Sequence, residues 1–436
     1  MNKQLSYLVL LTLLSIGIGL IPTIQHGVPP GYVDTAAHIA TGLDVREGNF
    51  DSLLHKWWHR KNHVLYQEER IVDRYITTFF YPPLLHLLLA FTYIFLPIAF
   101  GTGLLISTLY ALSVPALYFV LRSHGIPEKE SLLAGAIMAV STTLLISQNN
   151  GFWTFIIALN FSLLAYASTR FQKVIPAILF ALLAVLTHWV FFLAICVIYS
   201  IEWLYRKNQS VKNIALVSLS TSSVLLLATV LISDWPYLGT SHPVIHIENI
   251  FLLVPAIIGA WYARKQFPEI IFYATVTLLI MFSHAINILF IFADMAQYAL
   301  VYFIAAFCAI GLSATVQRKR KALLLFTSIG ILVTLFSTVQ LTMSTQPSIT
   351  SEQLEQLIHI RAQTEITEQT ILVWDADIHP AWSVLVAKRK LMYPFEDTES
   401  VASKHVAYLE YQRHTAERVF VREQNNTLYT YMAKQI

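Results

Sequence analysis

Asp34 and His38 stand four residues apart in Gly31-Tyr32-Val33-Asp34-Thr35-Ala36-Ala37-His38, just beyond the first apolar run. On a helix that spacing puts both on one face. A carboxylate there suits a general base, with His38 orienting it or touching substrate. The same aspartate ahead of Thr-Ala-Ala equally suits a helix N-cap. Further on, His55, His59 and His63 recur at i, i+4 and i+8 within His55-Lys56-Trp57-Trp58-His59-Arg60-Lys61-Asn62-His63. This stretch has three readings. It is a metal-binding face of His-x3-His spacing, an interfacial helix with Trp57 and Trp58 at the headgroups, or a basic cluster that meets a phosphate-bearing lipid. The region closes on Asp73-Arg74-Tyr75 and Phe80-Tyr81-Pro82-Pro83-Leu84-Leu85-His86.

A second set of ionisable residues lies in or beside apolar runs: His188, Glu202, Asp234, His284 and Asp294. A charge at mid-membrane costs on the order of 2.5–3.5 kcal/mol on insertion scales, so such residues sit at span ends or line cavities. Interfacial placement accounts for Glu202 and Asp234, whereas His188 and Asp294 are expected to line an outer cavity. His242 and His246 repeat the His-x3-His spacing, but Pro243 disturbs that turn. Asp375 and Asp377 read as ordinary turn residues after a strand.

The elements that position these groups follow from composition. The 436 residues are 56% hydrophobic and 13% charged, where a soluble domain carries roughly 25% charge. Mean hydropathy is +0.58. Apolar runs near the length needed for a bilayer of about 30 Å recur along most of the chain. Spans are expected near 5–24, 104–121, 131–147, 152–169, 174–188, 189–205, 213–232, 247–263, 268–284, 296–315 and 322–343, about eleven in all. Met1 to Leu20 lacks a small-residue cleavage site and reads as a retained first span. Cys196 and Cys308 lie in apolar runs and imply no disulfide framework. The net charge of +3 is loop bias and gives no nucleic-acid surface.

Loop charge sets the expected topology. Five short loops hold thirteen basic residues, for example Arg122 and Lys129, or Arg318 to Lys321, and the four loops between them hold no Lys or Arg. The positive-inside rule places the five in the cytoplasm. Parity then turns on 82–100. If this stretch lies on the surface or re-enters, the N-terminus is cytoplasmic and loop 25–81 is outside. If it crosses once, that loop is cytoplasmic. Pro82-Pro83, Pro97, Gly101 and Gly103 favour the surface or re-entrant helix, which places residues 346–436 outside too. That segment is expected to be a small α+β domain. Thr350 with Gln353 fits a capping box, Leu354, Leu357 and Ile358 give helical spacing, 369–374 reads as a strand, and 419–421 with 428–431 read as a hairpin. The expected fold class is thus an all-α polytopic membrane bundle over 1–345 with an outer α+β domain over 346–436.

This layout resembles the GT-C superfamily of integral membrane glycosyltransferases, which use polyprenyl-phosphate-linked sugars. The residues that carry the resemblance are Asp34 and His38 in a long outer loop after the first span, Gly48-Asn49, Tyr81-Pro82-Pro83-Leu84 before a surface helix, and Thr187-His188-Trp189. The resemblance implies that Asp34 is the base or acceptor-orienting carboxylate, assisted by His38. It implies a polyprenyl-phosphate-sugar donor, an outer glycan, lipid or protein acceptor, and inversion at the anomeric carbon. Substrate contacts are expected from Arg60, Lys61, Arg74, Tyr81, Gln148, His188 and Asp294, and no cofactor is implied. The chain departs from the pattern where Gln148-Asn149-Asn150 replaces a second acidic motif, which points to a metal-independent site. His55, His59 and His63 keep a divalent metal open. Tyr81 stands where some members carry a basic residue, and Asp294-Met295-Ala296-Gln297 lacks an arginine found in others. Two further readings stay open: a non-catalytic relative acting as a scaffold or glycan-binding subunit, and a transporter or lipid flippase. A transporter would show inverted repeats or paired broken spans with midplane charges, and the sequence shows neither.

Overall fold

A computed structural model describes residues 3–31, 33–50, 67–68, 71–72, 83–188, 250–282, 290–317, 321–362, 371–373, 382–387, 390–392, 418–422 and 428–432. The spans expected at 189–205 and 213–232 lie outside these residues. The described part is mostly helical. Helices α1 (Lys3–His26) and α2 (Val33–Arg46) are followed by α3 (Leu84–Phe95), α4 (Ile98–Ala111), α5 (Ser113–Ser123), α6 (Glu128–Ala139), α7 (Thr142–Asn149), α8 (Trp153–Arg170) and α9 (Val174–Thr187). Then come α10 (Ile250–Gln266), α11 (Pro268–Phe282), α12 (Phe290–Gln317), α13 (Lys321–Ser344) and α14 (Ser351–Ala362).

Among the described residues three stretches, Lys3–His26, Ile98–Ser123 and Tyr298–Val316, are each long and apolar enough to cross a bilayer; α6 with α7 forms a fourth if the bent pair is one span. The outward faces confirm the solvent. Leu10, Leu13 and Leu14 of α1, Ile175 and Leu179 of α9, and Leu332 and Phe336 of α13 are exposed. Water would penalise these residues at about 25 cal/mol per Å² of apolar surface, and lipid does not. The protein is an integral membrane protein.

Inside the bundle, small residues and polar bridges replace the hydrophobic driving force that lipid cannot supply. A Cβ on Gly259 of α10 would fall 1.7 Å from the Phe307 carbonyl of α12, so those two backbones touch only because glycine stands there. Asn160, fully buried in α8, donates to the Leu109 carbonyl (3.1 Å) and accepts from the Tyr302 hydroxyl (2.6 Å), joining α4, α8 and α12.

The sequence predicts a span over 131–147; the structure bends this stretch by 41° between α6 and α7. The bend needs no proline. Val140, Ser141, Thr142 and Thr143 are weak helix formers, and Ser141 caps the new helix through Leu144 N–H (3.4 Å). The bend releases the Val140 carbonyl, which Thr338 of α13 satisfies at 2.8 Å, while Thr142 and Thr338 share a hydrogen bond of 2.7 Å. Free backbone groups are not tolerated in hydrocarbon, so this side-chain repair is what permits the bend.

Helix α3 has 12 residues, about 18 Å at 1.5 Å per residue, against about 30 Å of hydrocarbon. By itself it is too short to cross. The chain turns extended at Leu96 and Pro97 before α4 begins. One face of α3 is buried through Leu85, His86, Leu89 and Tyr93, and the other exposes Leu87, Phe91, Ile94 and Phe95.

Six strands are described: β1 (Gln67–Glu68), β2 (Ile71–Val72), β3 (Ile371–Val373), β4 (Lys390–Met392), β5 (Arg418–Arg422) and β6 (Leu428–Met432). Their order in one sheet is β1-β2-β4-β3-β5-β6. β3 runs parallel to β4 and β5, and the other pairs are antiparallel. Two strands between α2 and α3 thus share a sheet with four that follow α14. The capping box that opens α14 forms reciprocally, with Thr350 N–H to Gln353 Oε1 (2.9 Å) and Gln353 N–H to Thr350 Oγ1 (3.1 Å).

Candidate functional site

Helix α2 carries the site. It begins at Val33, so Asp34 lies within the first turn and is not the residue ahead of it. That position still suits a carboxylate, because the first turn presents unpaired N–H groups and the positive end of the helix dipole. Gly48, at φ +82°, ends the helical run, and Asn49 N–H returns to the Asp44 carbonyl at 2.9 Å. Gly48-Asn49 therefore works as a helix stop.

Asp34 is 8% exposed. Burial pushes its carboxyl up from 3.8 to about 7, because the charged form loses its hydration. Two sharp turns crowd it. Gly151, at φ +85°, follows α7, and a Cβ there would lie 2.9 Å from Asp34 Cβ. Gly31, at φ +130°, precedes α2, and a Cβ there would overlap Thr35 Oγ1 at 1.9 Å. Both positions need glycine for conformation and for space. The turn at Gln148-Asn149-Asn150-Gly151, where the expected acidic motif is missing, is thus packed directly against Asp34.

His38 lies one turn further along α2 and is fully buried. Its Nδ1 is 3.0 Å from Nε2 of His86 on α3, and its ring stacks on Trp153 at 5.2 Å and 20°. One of the two imidazoles donates and the other accepts. Trp153 Nε1 in turn donates to the Gln148 carbonyl at 2.8 Å. The face predicted to hold Asp34 and His38 is therefore tied to the lipid-facing helix α3 and to the α7–α8 turn.

The other expected site residues divide into three groups. Gln148 is buried in packing: its Nε2 donates to the Gly19 carbonyl (2.9 Å) and to Ser107 Oγ (3.0 Å), binding α7 to α1 and α4. His188, 7% exposed, follows α9 and stands edge-on to Phe155 at 6.2 Å, and Phe155 in turn lies 6.3 Å from the Tyr298 ring of α12. Asp294 falls on the backbone of α12 and its side chain lies outside the described residues, as do Arg60, Lys61, Arg74 and Tyr81 entirely. His55, His59, His63, His242, His246, Asp375 and Asp377 also lie outside them. Among the described residues no three His, Cys, Asp or Glu side chains gather as a metal site.

A feature the sequence reading passed over lies at the far end of α2. Arg361 of α14 donates from Nε to Glu47 Oε1 (2.6 Å) and from Nη2 to Glu47 Oε2 (2.7 Å) and Asp44 Oδ1 (2.5 Å). Its Nη1 donates to the Val386 carbonyl at 3.1 Å. Burial opposes the charge on Arg361, but Glu47 and Asp44 outweigh it and hold the guanidinium above its ordinary value. The signal was present in the sequence: Arg361 continues the apolar face of Leu354, Leu357 and Ile358, and a charge on a buried face requires a partner.

No protein-family profile and no curated protein matches the chain. Solved structures do. The crystal structure of ArnT from Cupriavidus metallidurans in the apo state aligns with a TM-score of 0.51 at 10% identity, covering 96% of this chain and 93% of that one. The same enzyme bound to undecaprenyl phosphate aligns with a TM-score of 0.48 at 11% identity, covering 94% and 89%. The chain shares the fold of that apo structure. The fold spans nearly the whole chain, while the sequence has diverged to the level of chance identity.

Proposed function

We propose that the protein is a membrane glycosyltransferase that moves a sugar from a polyprenyl-phosphate-linked donor to an acceptor outside the cytoplasm, with Asp34 as general base. One observation carries this reading: a carboxyl with a value near 7, buried at the start of α2, on a fold shared with a GT-C enzyme. A base poised near the working pH transfers protons best, and a perturbed acid in such a place marks a functional site.

In the proposed step the acceptor hydroxyl gives its proton to the Asp34 carboxylate as its oxygen bonds to the anomeric carbon. The bond from that carbon to the phosphate oxygen breaks, and the lipid phosphate leaves with the electron pair. The configuration inverts. Arg60, Lys61 and Arg74 are the cations proposed to meet the charge gained by the phosphate. Tyr81, His188 and Asp294 are proposed on the substrate side. His38 orients the helix face through His86. Gln148 contributes from below, where its amide bonds keep the 148–151 turn pressed on Asp34. In this reading the N-terminus is cytoplasmic, loop 25–81 and residues 346–436 are outside, and the transmembrane unit ends near 345. The short, lipid-faced α3 favours that topology, since it supplies a surface helix and not an extra crossing.

The second reading, a non-catalytic scaffold of the same fold, is favoured by the engagement of Gln148 in packing where an acid is expected. The test is sugar transfer by purified protein in lipid, offered a panel of polyprenyl-phosphate sugars, comparing wild type with Asp34→Asn. Transfer by wild type and none by the folded variant supports the enzyme. Glycan or partner binding without transfer by either protein supports the scaffold.

A further inference from the structure

Helix α2, which bears Asp34 and His38, is held at both ends by residues that follow α13. At its start, Ser348 Oγ donates to the Gly31 carbonyl, and Trp382 Nε1, on a fully buried residue, donates to Ser348 Oγ at 2.9 Å. The turn before it is equally close: a Cβ on Gly27 would lie 3.0 Å from Ser351 Cβ. At its end, Arg361 takes both Glu47 oxygens, Asp44 and the Val386 carbonyl. The Arg361 and Asp44 side chains are only 3% and 5% exposed, while Glu47 is 47% exposed.

The charges explain why this contact is needed. Asp44 and Glu47 stand at the C-terminal end of α2, where the helix dipole is negative and acids are disfavoured. A guanidinium from another helix removes the conflict. Its planar fork fixes direction as well as charge, which an ammonium does not. With Gly31 tied at one end and Asp44 and Glu47 at the other, α2 cannot slide or turn about its axis without breaking one of these bonds.

We propose that Arg361 is a positioning residue for the Asp34 site: the clamp on Asp44 and Glu47, opposed by Ser348 and Trp382 at Gly31, sets the register of α2. Asp34 lies ten residues from Asp44, about 15 Å along the helix. Arg361 therefore acts on the reaction only through the placement of that carboxyl, and a misplacement near 1 Å is enough to cost about 100-fold in rate. The catalytic consequence rests on the glycosyl-transfer reading; the clamp itself does not.

The experiment uses the full chain in lipid nanodiscs and pairs amide hydrogen exchange with transfer kinetics for wild type, Arg361→Gln, Arg361→Lys and Glu47→Gln. In Arg361→Gln, exchange across α2 is expected to rise at least tenfold while α8 stays within twofold. The kcat is expected to fall at least tenfold with donor KM within threefold. Arg361→Lys restores part of both, because charge returns without the fork. Glu47→Gln leaves no buried charge unpaired, so it folds in any case; it is expected to move both readouts the same way by about threefold. Unchanged α2 exchange in Glu47→Gln and either Arg361 variant overturns the proposal. So does loosening spread evenly over all helices, or a rise in KM at constant kcat. If α2 loosens as expected and wild type transfers no sugar, the clamp stands and the glycosyl-transfer reading falls.

Discussion

Replacing Asp34 by asparagine should make the protein more stable and less active, with both effects set by pH. The folded carboxyl sits near 7 against an ordinary 3.8. Well below pH 3.8 the group is protonated whether the chain is folded or unfolded, and its burial adds no pH-dependent cost. Between 3.8 and about 7 the unfolded chain releases the proton and the folded one keeps it, so wild-type stability falls as pH rises. At 1.36 kcal/mol per pH unit the gap amounts to about 4 kcal/mol once pH exceeds 7. Asparagine removes the titration while keeping the shape. Denaturation midpoints of both proteins in nanodiscs, from pH 5 to pH 8.5, should therefore diverge steadily and level off near 7.5, with the variant higher. Transfer should run the other way. Wild-type kcat/KM should climb through pH 7 to a plateau as Asp34 ionises, and the variant should lose about 100- to 10,000-fold. Midpoints that stay parallel over the whole range, or an asparagine variant that is the weaker fold at pH 8, would refute the argument that Asp34 is held buried against its own charge.

Gly151→Ala, at φ +85° and 2.9 Å from Asp34 Cβ, should cost about 1–3 kcal/mol and displace the carboxyl, so midpoint and transfer rate should fall together. His86→Ala leaves the His38 Nδ1 that it meets at 3.0 Å without that partner; a loss of about 1–3 kcal/mol is expected, and denaturation of the purified variant checks it. Thr338→Val removes the donor to the Val140 carbonyl and should lower the midpoint by a similar about 1–3 kcal/mol, whereas Thr338→Ser should hold it. On the proposed glycosyl-transfer reading, transfer measured with and without a chelator should be the same, since the 148–150 turn offers no carboxylate to hold a metal.

The apolar helices among the described residues were legible because the bilayer imposes length and leaves little choice of residue. The shared face of Asp34 and His38 was equally legible, because helical spacing is local. The box at Thr350 and Gln353 follows from chemistry within four residues, whereas Gly48-Asn49, which carried only the resemblance, proves to be a helix stop. What could not be read joins distant parts of the chain. His86 was visible only as a histidine after a diproline; its pairing with His38 depends on α3 folding back along α2. The bend after Ala139 has no proline or glycine to announce it, and exists because Thr338 arrives from nearly two hundred residues away. Arg361 carried a sign, a charge on an apolar face, but nothing nearby in sequence named Asp44 and Glu47 as its partners. Gln148 was read for the acid it replaces, and the structure uses its amide in packing.

The Val140 carbonyl has a consequence for biogenesis. Its donor, Thr338, lies 198 residues downstream. At about 5–20 residues per second of synthesis, the α6–α7 segment is made on the order of ten to forty seconds before that hydroxyl exists. Until then the hydroxyl that permits the bend is missing, and an unbent 131–147 helix keeps the Val140 carbonyl satisfied within its own backbone. The arrival of α13 then closes the seam, so the N-terminal half of the protein is inserted early and completed late.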